Sequence, residues 1–164
     1  MMQGPLKNLP NWPAAPDGVA VLSISPDERD HASLRGVFSH TRWRLFEAPD
    51  CSEALDFLRR NPVGVVICES RLPDGGWRDL LEGVSGLPTS PLLIVASRNA
   101  DDALWAEALN LGAYDVLSKP FQMVEVTRIV SLAWLYWKEQ MVSTERMAVG
   151  AEWDGAVRTR TATA

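Results

Sequence analysis

The sequence predicts an α/β domain: a doubly wound, five-stranded parallel sheet in the order 2-1-3-4-5, a flavodoxin-like arrangement followed by an extended C-terminal helix. Three observations carry this. Short apolar runs alternate with amphipathic stretches along the chain, the pattern of strands buried between two helical layers. One run, 63–68, is almost wholly apolar, as a central strand of such a sheet must be. The chain has 164 residues, 46% of them apolar, which suffices for one core.

The first strand is read at Val19 to Ser25, and the helix after Pro26 places Leu34, Val37 and Phe38 on one face. His31 and His40 have no companion ligand at helical spacing and read as solvated histidines of this surface helix. The second strand is Trp43 to Ala48. Asp50, with Glu53 three residues on, has capping-box spacing and opens a helix that turns Ala54, Leu55 and Leu58 inward.

After the third strand, Val63 to Cys68, the run Leu72-Pro73-Asp74-Gly75-Gly76 makes a turn, and a short helix carries Leu80, Leu81 and Val84. The fourth strand is Leu92 to Ala96. Its helix starts at Asn99 or Asp101, presents Leu104, Ala108 and Leu111, and stops at Gly112. The fifth strand, Tyr114 to Ser118, ends at Lys119-Pro120.

From Gln122 a helical pattern runs past Trp134 and Trp137 toward Met147, with a stripe of Val126, Val130, Ala133, Trp137 and Met141 flanked by Ile129, Leu132 and Tyr136. The chain therefore divides into a proline-rich arm (1–17, with Pro5, Pro10, Pro13 and Pro16), a domain (18–140), and a helical extension (141–164) that ends in a disordered tail from Arg158. Beyond Lys138 the extension either offers Met141, Val142 and Met147 to a partner helix or frays. No second domain is expected to follow, so output would come from binding another protein.

Sixteen basic and 21 acidic side chains give a net charge of −5, which argues against nucleic acid as the main partner. No apolar run is long enough for a membrane span and the start lacks a signal-peptide layout, so a cytoplasmic protein without membrane contact is expected. Cys51 and Cys68 have no CxxC or histidine spacing and read as free thiols with no metal site on sulfur.

In a sheet of this order, chemistry belongs at the carboxyl ends of the strands, which here carry Ser25, Glu69, Ser97 and Lys119. Two stretches stand out: Glu69-Ser70-Arg71-Leu72-Pro73-Asp74-Gly75, and Gly112-Ala113 through Lys119-Pro120-Phe121. With these, residues 19 to about 138 resemble the receiver domain of response regulators in two-component phosphorelay signalling, including the single-domain regulators of chemotaxis type.

The resemblance implies an acidic pair after the first strand, a phosphorylated aspartate after the third, Thr or Ser after the fourth and Lys-Pro after the fifth. Glu69 then falls at the phospho-acceptor position, and Ser25 and Pro26 fall at the acidic pair. The carboxylates that would hold Mg²⁺ are thus missing, and neither a metal nor another cofactor is expected. Ser97 falls at the Thr/Ser position, with Ala96 as the alternative when counting from Pro91. Val116 stands where the family usually has an aromatic switch residue, with Tyr114 two residues earlier. Asp27 and Glu28 either compensate for the absent acids or serve only as favourable charges in the first turn of a helix.

Glutamate carries its oxygens about 1.5 Å further out than aspartate, and in-line phosphoryl transfer tolerates such displacement poorly. Glu69 and Lys119 form either a standing ion pair or two solvated charges. The expected protein is therefore an atypical receiver, not an enzyme. It acts by phosphorylation-independent contact with a signalling partner, and the resemblance implies a homodimer through the fourth and fifth strands and helices. The alternative is a working phospho-acceptor using Glu69 or a neighbour. A more remote one, a flavodoxin-like cofactor binder, needs a glycine- and hydroxyl-rich loop where Ser25-Pro26-Asp27-Glu28-Arg29-Asp30 is acidic.

Overall fold

In the computed structural model, which describes residues 18–161 and the side chains of 18–150, the apolar runs become β1 (Ala20–Ile24), β2 (Arg44–Ala48), β3 (Val65–Glu69), β4 (Leu92–Ser97) and β5 (Asp115–Ser118). They form one sheet in the order β2-β1-β3-β4-β5, every neighbouring pair parallel. The helices are α1 (Glu28–Phe38), α2 (Cys51–Arg60), α3 (Trp77–Ser85), α4 (Asp102–Leu111) and α5 (Met123–Thr161). Between β3 and α3 a short ribbon pairs Arg71–Leu72 with Gly75–Gly76.

Successive strand residues point to opposite faces, so the continuous apolar run of β3 feeds two cores. Val66 and Cys68 pack with Trp77, Leu80 and Leu93 beneath α2, α3 and α4, whereas Val65 and Ile67 pack with Leu34, Val126 and Val130 beneath α1 and α5. The helix starts follow from short acids that take an orphan backbone N–H: Asp27 from Arg29, Asp50 from Glu53 and Asp101 from Leu104. At the far end of α4, Gly112 adopts φ +106, which L side chains rarely do, and its N–H returns to Ala108 and Leu109. Asp74 reaches back from the β3–α3 loop to accept 2.9 Å hydrogen bonds from the N–H groups of Cys51 and Ser52. These bonds hold its carboxyl below the usual range and fasten α2 to the loop after β3.

The structure corrects several expectations. His31 is buried rather than solvated, while His40 lies exposed just after α1. Leu111 is exposed, because α4 sits on the sheet mainly through Ala108 and the half-buried Leu104. Where a disordered tail is expected from Arg158, α5 runs on to Thr161, since an established helix adds residues at little cost. Through 140 the backbone of α5 runs unbroken, as the helical pattern toward Met147 implies. The proline-rich arm, residues 1–17, lies outside the described residues.

Candidate functional site

The carboxyl ends of β1, β3, β4 and β5 open onto a cleft of about 770 Å³ whose lining includes Ser25, Asp30, Glu69, Ser97 and Lys119. At its centre lies the Lys119 ammonium, delivered by the turn after β5, with its side chain 9% exposed. Lys119 Nζ donates to Asp30 Oδ2 at 2.8 Å and meets Glu69 Oε2 in a second ion pair. Asp30 Oδ2 also accepts from Ser25 Oγ at 2.6 Å, and Glu69 Oε1 accepts from Ser70 Oγ at 3.0 Å. The Asp30 and Glu69 side chains are 9% and 16% exposed, so two carboxylates share one ammonium away from water.

Burial alone lowers the affinity of Lys119 for its proton. Hydrogen bonds to Asp30 and Glu69, with their charges, outweigh that and raise its pKa above the ordinary lysine value. The backbone fixes this arrangement from below: Lys119 N–H donates to Ser97 O at 3.0 Å, and Ser70 N–H donates to Ala96 O at 2.9 Å.

Of the two readings of Glu69 and Lys119, the structure has the standing ion pair. Ser97 closes β4 beside the cleft, its Oγ accepting from Asn99 N–H at 3.1 Å, whereas Ala96 faces the core under α1 and α5. Val116 is buried on the opposite side of the sheet, under α2, α3 and α4. Tyr114 does not stand in for an aromatic there: it packs on the α1/α5 side, its ring 6.1 Å from that of Tyr136.

Asp27 and Glu28 take no part in the centre. Asp27 caps α1 and is held at a pKa of about 2 by hydrogen bonds from Arg29, while Glu28 pairs with Arg35. The acid that enters the cleft is Asp30, which sequence reasoning missed. Its spacing carried a signal, since Asp30 lies four residues before Leu34 and seven before Val37, on the buried stripe of α1.

His31 was missed in the same way. Its Nε2 donates to Ser25 O at 2.9 Å, and its Nδ1 is hydrogen-bonded to Ser23 Oγ at 2.9 Å. Ser23, His31, Ser25, Asp30, Lys119, Glu69 and Ser70 thus form one linked polar path from β1 into the cleft. Burial pushes both thiols, Cys51 and Cys68, above the usual range, and both are free. Across the cleft mouth Arg78 Nε donates to Glu107 Oε1 at 2.6 Å, tying α3 to α4.

A family model described as the response regulator receiver domain matches residues 21–131, well over half of the chain. The chain belongs to the response regulator receiver domain family. Response regulator GtcR of Aneurinibacillus migulanus is 29% identical over 137 residues, 79% of this chain and 56% of that protein. The transcriptional regulatory protein KdpE of Mycobacterium tuberculosis is 31% identical over 105 residues, 64% of this chain and 46% of that one. This chain spans about half the length of these curated relatives. Among solved structures, the signal receiver domain of an HD domain-containing protein from Pseudomonas fluorescens Pf-5 superimposes with a TM-score of 0.69 at 24% identity, covering 82% of this chain and 97% of that one.

Set against this receiver fold, the donor set of the cleft does not suit a divalent metal. Mg²⁺ takes carboxylate oxygens and waters in an octahedron. Both buried carboxylates here already hold an ammonium, the Ser25 hydroxyl is spent on Asp30, and Pro26 brings no donor. Among the described residues no three His, Cys, Asp or Glu side chains converge in a metal-holding group, and no helix is long and apolar enough to cross a membrane.

Proposed function

We propose that this receiver works as a phosphorylation-independent binding module in two-component signalling rather than as an enzyme or a phosphoryl carrier. One observation carries the reading: the Lys119 ammonium is bound between Asp30 and Glu69, so the centre supplies its own cation and its own fixed anion. Phosphoryl transfer to a carboxylate depends on an ion that neutralises charge between donor and acceptor. Glu69 stands at the acceptor position, yet its oxygens are committed to Lys119 and Ser70. The standing pair gives part of the charge a phosphoryl group would bring, and it holds the β3 and β5 loops in one arrangement.

Output then comes from contact with a protein partner in the cytoplasm. Supporting this, α4, which packs against β5, leaves Trp105 and Leu109 exposed, and pairing of two copies on that side belongs to the same proposal. A net charge of −5 favours a protein partner over nucleic acid. The test is incubation of the purified chain with acetyl phosphate and Mg²⁺, followed by intact mass. An unchanged mass is expected. A stable gain of one phosphoryl group overturns the reading in favour of a working acceptor.

A further inference from the structure

Helix α5 carries an apolar stripe past the end of what it covers. Within the domain Val126, Val130, Ala133 and Trp137 recur at steps of four and three and are buried on the sheet. Trp137 sits at the amino edge of that sheet: its Nε1 donates to Ser90 O ahead of β4, and its indole, with that of Trp134, rests on Gly64 ahead of β3. The same steps continue as Met141, Thr144 and Ala148, and Met147 lies five turns beyond the buried Ile129 on one line. Among the described residues nothing covers this continuation. From 138 to 150 only Met141 is even half-buried, and Met147 is 77% exposed.

The chain itself brings a segment to this place. Val21 pairs with Val65, so the backbone entering β1 from Gly18 passes one strand spacing, about 4.8 Å, from the backbone at Gly64. Residues 1–17 therefore join the domain beside the two indoles from which the uncovered stripe departs. Their sequence has a period of three, with Pro10, Pro13 and Pro16 in one row and Leu6, Leu9 and Trp12 in the next. A polyproline II helix has three residues per turn and rises about 3.1 Å per residue, so in that form Leu6, Leu9 and Trp12 share an edge at intervals of about 9.3 Å. Along α5, Met147 lies about 9 Å and Ala148 about 10.5 Å beyond Met141. Two apolar rows of nearly the same step start from the same edge of the sheet.

We infer that residues 9–16 lie as an extended strap along the α5 extension of their own chain, with Trp12 against Met141 and Leu9 against Met147 and Ala148. The strap takes over from the sheet as the cover of the stripe. Gly18 is six residues from Trp12, a reach of up to about 19 Å, whereas Met141 stands only about 6 Å beyond Trp137 along the helix. Tethering selects this occupant over a free partner, because a short linker holds the strap at an effective concentration on the order of millimolar. The indole of Trp12 adds a large apolar contact, since a tryptophan buries about 150–250 Å². The prolines reduce the backbone entropy that docking must remove. None of this rests on the chemistry at Glu69.

The experiment uses the full chain with two introduced thiols and a short bismaleimide, read by intact mass, Cys51 and Cys68 being buried and left in place. Leu9→Cys with Ala148→Cys should link within one chain at least about tenfold faster than Leu9→Cys with Arg146→Cys, because position 146 lies on the other side of the helix. Hydrogen exchange gives a second reading. Trp12→Ala should speed exchange of the amides of 138–150 by about tenfold, as the extension then opens more often, and Asn11→Ala, on a neighbouring edge of the strap, should leave it unchanged. Equal linking rates, links formed mainly between two chains, or exchange indifferent to Trp12→Ala would each overturn the inference.

Discussion

Asp30 and Lys119, 89 residues apart in sequence, meet at 2.8 Å inside the receiver cleft, each with a side chain 9% exposed. Removing one member of a buried pair strands the other charge, at a typical cost of about 3–5 kcal/mol. Lys119→Met strands two carboxylates against each other and should lower the urea-unfolding free energy by about that much. Asp30→Asn, which leaves Glu69 in place, should cost less. In a double-mutant cycle Glu69→Gln and Lys119→Met should couple, and strict additivity would discard the ion pair.

The raised pKa of Lys119 fixes the sign of a pH effect. The folded state holds this proton more tightly than the unfolded chain. Its contribution is therefore fully present below the ordinary lysine value of 10.5 and is lost as pH rises through the folded value. Wild type minus Lys119→Met stability, followed by urea unfolding, should be flat near neutrality and shrink only above about pH 10.5. A difference that grows in that range would reverse the assignment.

Asp74 gives the opposite limb. Its carboxylate is held low by the N–H groups of Cys51 and Ser52, so the stability it gives α2 is present above the ordinary aspartate value and lost as pH falls through the folded one. Asp74→Ala should cost about 1 kcal/mol at pH 7, the typical worth of a helix-capping acid, and the deficit should vanish in acid. An equal deficit at both pH values would mean that Asp74 acts through loop shape instead of charge.

Strand ends made much of the cleft legible beforehand. The apolar runs locate where β3, β4 and β5 stop, and Glu69, Ser97 and Lys119 follow by position alone. Asp30 and His31 were illegible by that logic because they arrive from α1, where an acid in the first turn reads as a partner of the helix dipole. Only the phase of α1 turns them inward. The exposure of Leu135 and Val149 was illegible for the reverse reason, since the inner stripe already accounts for the helix.

His31 bridges two groups that have no water to fall back on. Replacing it with Phe keeps the ring volume but orphans the Ser23 hydroxyl and the Ser25 carbonyl, at about 1–3 kcal/mol for each buried group left unpaired. The Ser25 carbonyl belongs to the residue whose hydroxyl bonds Asp30, so the loss should spread toward Lys119. Unfolding by urea should show a deficit for His31→Phe that Ser23→Ala partly relieves, since the second change removes one orphan. No relief would mean that Ser23 and His31 do not share a bond.

Gly64, just before β3, lies directly under the Trp134 and Trp137 side chains of α5. A Cβ there would stand 2.8 Å from Trp134 and from Trp137, whose rings stack with centroids 5.2 Å apart. Neither indole can retreat freely, because each rests on the other and Trp137 Nε1 also donates to Ser90 O at 3.2 Å. Gly64→Ala should therefore force the pair outward and cost about 1–3 kcal/mol, the usual range for overpacking. Gly112→Ala meets nothing within 4 Å and should suffer only from its backbone angle. The two variants separate by near-ultraviolet circular dichroism: Gly64→Ala should change the tryptophan bands and Gly112→Ala should leave them alone. Unchanged bands in Gly64→Ala would mean that the α5 indoles do not rest on the sheet at this point.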